Sequence, residues 1–467
     1  MPMKVFAEKY KSTIITKVDV EWIRYHTSID DAGSDAIHHD CDYSSAQVTL
    51  HLSNTDIKGQ GIIFCIGKGA MTLVQCVEEF KDLIEGKSLG DIVSDFRGFY
   101  RSISQHSQMR WLGPEKGASH LALAGVINSV WDCWAKLEGK PLWRHLSDLT
   151  PEQLLTCLEM SYIEDFMSQN DAYKILEGNF KTREGRIQEL LTTGYPAYTT
   201  AVGWAGYSDE KVIRLCDEAM AQGFQAFKVK VGIELENDMR RVGLVRKCVG
   251  PHAHVMTDAN QVWNVEESVK YMTELNKFNV TWIEEPTCPD DVMGHAAIDA
   301  RLKPIGVRVA TGEHCSNRIL HKQFMMNDGY HFVQMDPVRL GGMSEVLVVM
   351  LMAAHAKKPV CLHAGGVGLC EMGIHGAMFD YIGVSASLEE RWFEYAGALH
   401  EHFETPVQIK NGHYMAPTGL GYASDMYPES IAQFRYPSGH YWVNHHKSLG
   451  YSLVQHGTKL VKTLLKK

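Results

Sequence analysis

The chain has 467 residues, 22% of them charged, with a formal net charge of −10 and no long basic run. That length suits one large domain plus a smaller one, and the acidic balance argues against a nucleic-acid partner. No stretch is apolar enough to span a bilayer, and the eleven cysteines are scattered without a C-x-x-C pair, which predicts reduced thiols in an intracellular protein. The N-terminus lacks a secretory core, so a cytoplasmic location is expected. Lys4, Lys9, Lys11 and Lys17 leave a mitochondrial presequence open.

Three β-rich runs come first, at 14–23, 47–52 and 61–66, separated by polar turns that suggest an antiparallel meander. Between the first two lies the polar stretch 27–43, read as a solvated loop or as a lid that closes on a hydrophilic ligand. Gly67-Lys68-Gly69 lacks phosphate-loop spacing and reads as a turn before a helix. Helical patterns follow over 70–83, 92–104 and 120–137, with Trp131 and Trp134 expected in the core. Residues 154–162 and 195–202 both read as strands, and either could begin the repeat that follows. The segment 172–191 reads as helical, and 209–222 as a further helix. After Glu394 the chain reads as turns and short strands to about 437, then as a surface tail holding His445, His446 and the last twenty residues.

From Ala226 the pattern is regular. Lys230, Asp258, Glu284, Glu313, Asp336 and His363 each end an apolar run, Glu394 follows another, and successive members stand 23 to 31 residues apart. That is the length of a strand, a loop and a helix. One ionisable group at the end of each strand is how a TIM-like barrel builds its active site. In the run 226–231, read as a strand, Lys228 and Lys230 point the same way, so each should lower the other's pKa towards that of a working base. An edge strand carrying protective lysines is the alternative.

Asp258, Glu284 and Glu313 would repel one another in a shared pocket unless a hard cation held them, and all-oxygen ligation favours magnesium. Three separate salt-bridged acids are the alternative, and Glu285 could replace Glu284. Asp336 would fix the tautomer of His363, and Lys230 and His363 would flank the metal from two sides. That pairing suits abstraction of the proton next to a carboxylate, giving an enediolate. Glu394, if protonated, or Lys228 would donate a hydrogen bond to it.

The motifs K-V-K at 228–230, T-D-A-N-Q at 257–261, W-I-E-E-P-T at 282–287, A-T-G-E at 310–313, Asp336 and H-A-G-G-V-G-L at 363–369 resemble the mandelate-racemase branch of the enolase superfamily. Within it, D-F-R-G-F-Y at 95–100, R-W-L-G-P-E-K-G at 110–117, S-V-W-D-C-W-A-K at 129–136 and V-S-A-S-L-E at 384–389 resemble the L-fuconate dehydratases. The resemblance implies an α/β fold: a modified TIM barrel, (β/α)7β, under an N-terminal α+β capping domain, usually in a homo-oligomer. Applied here, it divides the chain into a cap with its lid over 1–153, a barrel over 154–398 and a returning C-terminal segment over 399–467. It implies Mg2+ on Asp258, Glu284 and Glu313, and acid/base roles for Lys230, His363 and Asp336. Substrate contacts are expected from Lys228, Asn260, Glu394, Arg110 and, on the lid, His39. His314 stands where the family pattern has Gln.

The expected reaction is magnesium-dependent loss of water from a six-carbon acid sugar, L-fuconate before others. The C2 proton leaves, then the C3 hydroxyl, to give a 2-keto-3-deoxy acid. The same groups could instead racemise or epimerise a 2-hydroxy acid, and a non-catalytic binding protein is the remaining alternative.

Overall fold

The computed structural model describes residues 3–448; the tail expected at the C-terminus lies outside them from residue 449 on. Three antiparallel strands open the chain, β1 (Ile15–Arg24), β2 (Ser44–Leu52) and β3 (Lys58–Cys65), in that order across the sheet. The helix Gly117–Leu137 packs tightly on β3 because Gly59 and Gly61 have no Cβ; one there would strike the carbonyls of Ser129 and Gly125. Trp131 and Trp134, on this helix, are fully buried, with ring centroids 5.2 Å apart. The helical pattern at 92–104 is interrupted: Leu89–Ser94 ends at Asp95, whose carboxylate accepts the Gly98 N–H and caps Phe96–Ser104.

The second sheet is parallel. Strands β4 (Tyr195–Thr199), β5 (Ala226–Lys230), β6 (His254–Asp258), β7 (Val280–Glu284), β8 (Arg308–Thr311) and β9 (Phe332–Val333) follow one another in space as in sequence. Val333 bridges Val360 in parallel, the Glu394 N–H reaches the Leu362 carbonyl, and β10 (Phe393–Tyr395) pairs with β4. These contacts close the barrel. Seven helices alternate with its strands, from Asp209–Ala221 to Leu369–Phe379, and β10 comes last without one: the (β/α)7β order. The first barrel strand is therefore β4. Residues 154–162, read as a strand, instead end the helix Pro151–Thr156 and turn, because Thr150 and Gln153 form a capping box that starts a helix there. The helical stretch 172–191 is two helices, Gln169–Phe180 and Arg183–Thr193.

Side-chain alternation sorts the strands into two environments. On β5, Phe227 and Val229 join the large core shared with the helices. Ala226 points into the barrel, where it meets Tyr198, Met256, Trp282, Phe332 and Cys361 in a separate apolar plug. Lys228 and Lys230 continue on that inner side, above the plug. Asp258 pairs in register with Lys230 and with Glu284, so the charged layer is level across three strands.

A buried ionic network joins the first sheet's helices to the barrel. Glu345 accepts from Arg318 Nη1 at 3.0 Å and from the Arg318 N–H at 2.9 Å, and its other oxygen lies 2.7 Å from His120 Nε2. Glu115 accepts from the same Nη1 at 2.8 Å and from Nη2 at 3.4 Å.

After β10, the hairpin β11 (Ile409–Lys410) and β12 (His413–Tyr414) pairs with the start of β4. The chain then crosses to β1, where Arg435 bridges Ile23. The described residues end in the helix His440–Ser448, whose Trp442 Nε1 donates to the Arg24 carbonyl at 2.8 Å. His445 and His446, expected in a tail, belong to this helix; their rings lie 4.8 Å from His26 and 5.9 Å from Tyr436. Among the described residues, no helix is long and apolar enough to cross a membrane.

Candidate active site

The strand ends open into a cavity of about 250 Å³, lined from the barrel by Lys230, Asn260, Glu313, His363 and Glu394. Its floor is an ionic lattice. Lys228 Nζ lies 2.7 Å from Glu284 Oε1, 2.8 Å from Glu394 Oε1 and 3.6 Å from Asp258 Oδ2. Lys230 Nζ lies 2.5 Å from Asp258 Oδ2. The net lowering of the two lysines expected from their spacing is overturned. Burial, the largest effect, and the Lys228 ammonium pull Lys230 down, but Asp258, Asp35 and Glu284 together outweigh them; burial likewise lowers Lys228, and Glu284, Glu394, Tyr198 and Asp258 together outweigh it, so both sit above their ordinary values.

Glu394 is likewise a carboxylate, not the protonated donor considered above. Burial raises its pKa, but Lys228, His363 and the Ala364 N–H at 2.9 Å bring it down to about 2. Lys228 is the donor in this pair. Glu284 moves the other way: burial and the nearby Asp258 and Glu394 push it well above the carboxylate range.

His363 Nδ1 lies 2.9 Å from Asp336 Oδ2, and Asp336 Oδ1 accepts the Val338 N–H at 3.0 Å, so the ring is held from behind. The Gly365 N–H reaches Nε2 at 3.1 Å, a contact the ring accepts when Nε2 carries no proton. Burial lowers this group, but Glu313, 3.3 Å from Nε2, and Asp336 raise it to about 9. The ring is poised between two carboxylates and the cavity.

Three carboxylates on consecutive strands, with lysines supplying the charge they face, are the donor chemistry of a hard divalent cation. Two buried oxygens beside them, Glu284 Oε2 and Asn260 Oδ1, have no hydrogen-bond partner, as oxygens suited to a cation would. Asn260 adopts a left-handed φ of 45° that turns it into the cavity it lines. The residue before Glu313 must be glycine: φ of Gly312 is 143°, and a Cβ would strike the Gln334 carbonyl. The neighbour Glu285 faces elsewhere. It accepts from His314 Nδ1 at 2.6 Å and from Gln261 Nε2 at 2.8 Å, and Arg339 reaches His314 Nε2 at 3.3 Å. Despite burial, those partners lower Glu285 to about 2. Among the described residues, the ligand atoms that gather within 4.8 Å of one another are those of Glu285, Glu313 and His314; the expected set of Asp258, Glu284 and Glu313 shares only Glu313 with that group and does not itself gather so closely.

The stretch 27–43 does fold over the cavity. The Ala205 N–H donates to the Ser34 carbonyl and the Gly206 N–H to Ser34 Oγ, each at 2.9 Å, which ties the stretch to the loop after β4. Two expected substrate contacts fail. His39 is exposed, and its neighbour His38 lines the cavity instead, beside Asp35, Cys41 and Tyr43. Arg110 is exposed on the short helix Met109–Leu112, outside the cavity. The sequence reading missed Asp35, His38, Trp204 and Arg339. Arg339 follows Asp336 by three residues, and that position was its one sequence signal.

A family model described as "Enolase C-terminal domain-like" matches residues 211–430. The chain is 48% identical to the human protein named mitochondrial enolase superfamily member 1 over 429 residues, 92% of this chain and 97% of the relative. The crystal structure of that human protein superposes with a TM-score of 0.91 at 47% identity, over 92% of this chain and 98% of the other. L-galactonate dehydratase from Hypocrea jecorina is 43% identical over 418 residues, 89% of this chain and 92% of its own. The structure of L-talarate/galactarate dehydratase from Salmonella typhimurium, liganded with Mg and L-lyxarohydroxamate, shares the fold with a TM-score of 0.70 at 20% identity, over 90% of this chain and 92% of the other. Identity of this depth across nearly the whole chain, on a shared barrel with its N-terminal capping domain, means that the chain belongs to the enolase superfamily.

Proposed function

We propose that this protein is a magnesium-dependent dehydratase of acid sugars and that its substrate is L-fuconate. The observation that carries the reading is that Lys230 and His363, the latter backed by Asp336, line one cavity from opposite ends of the carboxylate series in the barrel order. Asp258, Glu284 and Glu313, with Asn260 beside them, would hold the cation. When bound, Mg2+ supplies the positive charge that makes the carbon acid ionisable and shares the acids now paired with the lysines.

The chain's own groups do the rest. His363 takes the C2 proton at Nε2, while Asp336 holds the ring and stabilises the imidazolium. The same proton then passes to the C3 hydroxyl, which leaves as water. Lys230 serves the other face: as its ammonium it delivers a new proton to C3 while the enol hydroxyl releases its own to solvent, which gives the 2-keto-3-deoxy acid. Lys228, charged and fixed by Glu284 and Glu394, donates a hydrogen bond to the oxygen that gains charge.

L-fuconate and L-galactonate share their configuration and differ at C6, a methyl in one and a hydroxymethyl in the other. The relative named L-galactonate dehydratase supports the configuration and keeps L-galactonate as the second reading. Phe64, Ile66, Leu121 and Trp204 on the cavity wall favour the methyl. The names of the mitochondrial relatives support that compartment, and a homo-oligomer, as the resemblance implies, is part of the proposal. Incubation of the purified chain with each acid and magnesium, following the 2-keto product as its semicarbazone, tests the reading. Product that EDTA abolishes supports it. Inversion or deuterium uptake at C2 without loss of water would replace it with an epimerase.

A further inference from the structure

Behind β5 lie two buried charged residues that the reaction above does not use. Asp238 and Arg241 stand three positions apart on the helix Leu235–Val249, so they share one face of it, and they are 1% and 3% exposed. The Arg241 guanidinium bonds backbone carbonyls rather than a carboxylate. Nη2 donates to Gly203 at 2.9 Å and to Trp204 at 2.8 Å, and Nη1 donates to Ala205 at 3.2 Å and to Tyr207 at 3.5 Å. Those carbonyls belong to the irregular loop after β4. Burying a cation is costly unless its donors are met, so the carbonyls gathered on one planar guanidinium fix the shape of that loop. Asp238 holds the chain on the other side of β5, where its Oδ2 accepts the Gly232 N–H at 2.7 Å.

Both holds meet at Lys230. The Gly203 carbonyl that Arg241 bonds also accepts the Lys230 N–H, at 2.9 Å. Gly203 lies so close to β5 that a Cβ there would strike the Lys228 carbonyl. The Trp204 ring centroid stands 5.7 Å from Lys230 Nζ, within cation–π reach. Gly232 follows Lys230 by two residues. We infer that Arg241 and Asp238 are positioning residues for Lys230. Arg241 sets its backbone through Gly203 and its ammonium through Trp204, and Asp238 sets the chain just beyond it. The consequence for turnover rests on the role given to Lys230 above.

Two removals and two conservative replacements test the inference. Arg241→Gln and Asp238→Ala should each lower kcat on L-fuconate by about 10²-fold, with KM and magnesium affinity within about twofold of wild type. Asp238→Asn keeps an acceptor for the Gly232 N–H and should recover most of the rate. Arg241→Lys keeps the charge but not the fork, and should recover part of it. Labelling of Lys230 by acetic anhydride reads its placement without turnover, by peptide mass spectrometry against Lys68 on the same cavity. That labelling should rise severalfold in each removal and stay at the wild-type rate in Asp238→Asn. Wild-type labelling in Arg241→Gln or in Asp238→Ala would overturn the role of that residue, whatever its rate. Equal losses of kcat and magnesium affinity would also overturn it, as damage to the whole site. If Arg241→Gln does not fold, Arg241→Lys takes its place. A wild type that yields no product, while its Lys230 labelling still depends on Arg241 and Asp238, would reject the reaction and keep the inference.

Discussion

Lys228 and Lys230 stand two residues apart on β5 and turn both ammonium groups inward; both reach Asp258, yet their closest acids differ. Lys228 is wedged between Glu284 and Glu394, whereas Lys230 meets Asp258 and borders the cavity. Their substitutions should therefore separate. Lys230→Ala should lower dehydration by about 10²–10⁴-fold with a thermal midpoint close to wild type. Lys228→Ala should lose activity and also stability, by about 3–5 kcal/mol without added metal, because the buried Glu394 carboxylate loses its cation and Glu284 its hydrogen-bond donor. Thermal melts beside rate measurements check both; equal midpoints for the two variants would contradict the division of roles.

His363→Asn should remove dehydration and leave the fold intact, since the ring's contacts are with Asp336, Glu313 and the Gly365 N–H rather than with the apolar core. Asp336→Asn should act through the tautomer and cost about 10²-fold or more. If His363 takes the C2 proton, His363→Asn should also lose exchange of that hydrogen with deuterium oxide. Exchange at the wild-type rate, seen by proton NMR, would move that step to Lys230.

What the sequence revealed and what it hid follow from how directions are set. On β5 to β7 the period of two fixes which side chains enter the barrel, so Lys228, Lys230, Asp258 and Glu284 could be grouped before any coordinates. Glu285 could not be placed, because it follows the strand end with a φ of 41° and leaves the alternation. The lid has no period at all. Asp35's bonds to its own loop turn His38 inward and His39 outward, and neighbouring residues in a loop give no sequence sign of that choice. The charge states also needed the fold: two lysines on one strand should lower each other, and it is Asp258, Glu284 and Glu394, distant in sequence, that reverse the sign.

Metal removal should abolish activity, and the carboxylates should divide by role. Asp258→Asn, Glu284→Gln and Glu313→Gln are each expected to weaken magnesium binding by about 100-fold or more in calorimetry. Glu285→Gln should weaken it by about tenfold, because Glu285 holds His314 beside Glu313 and acts from behind the site. If Glu285→Gln cost as much as Glu284→Gln, the cation would instead sit among Glu285, Glu313 and His314.

The seam between the first sheet's helices and the barrel should make the protein acid-sensitive. Burial raises the Glu345 carboxyl, but His120 and Arg318 outweigh it and bring it from 4.5 down to about 2. A depressed acid contributes its full stability above its unfolded value and loses it as pH falls through the folded one. The window is therefore pH 4.5 to 2, and the shift corresponds to about 3 kcal/mol. Glu345→Gln removes that titration while leaving Arg318 short of one buried partner, so it should lower stability at pH 7 and flatten the stability–pH slope below pH 4.5 relative to wild type. Urea melts across that range read the difference between the two proteins directly, free of the other acids they share. Parallel slopes would mean that His120 and Arg318 do not hold Glu345 ionised, and that the seam is stabilised by its apolar contacts alone.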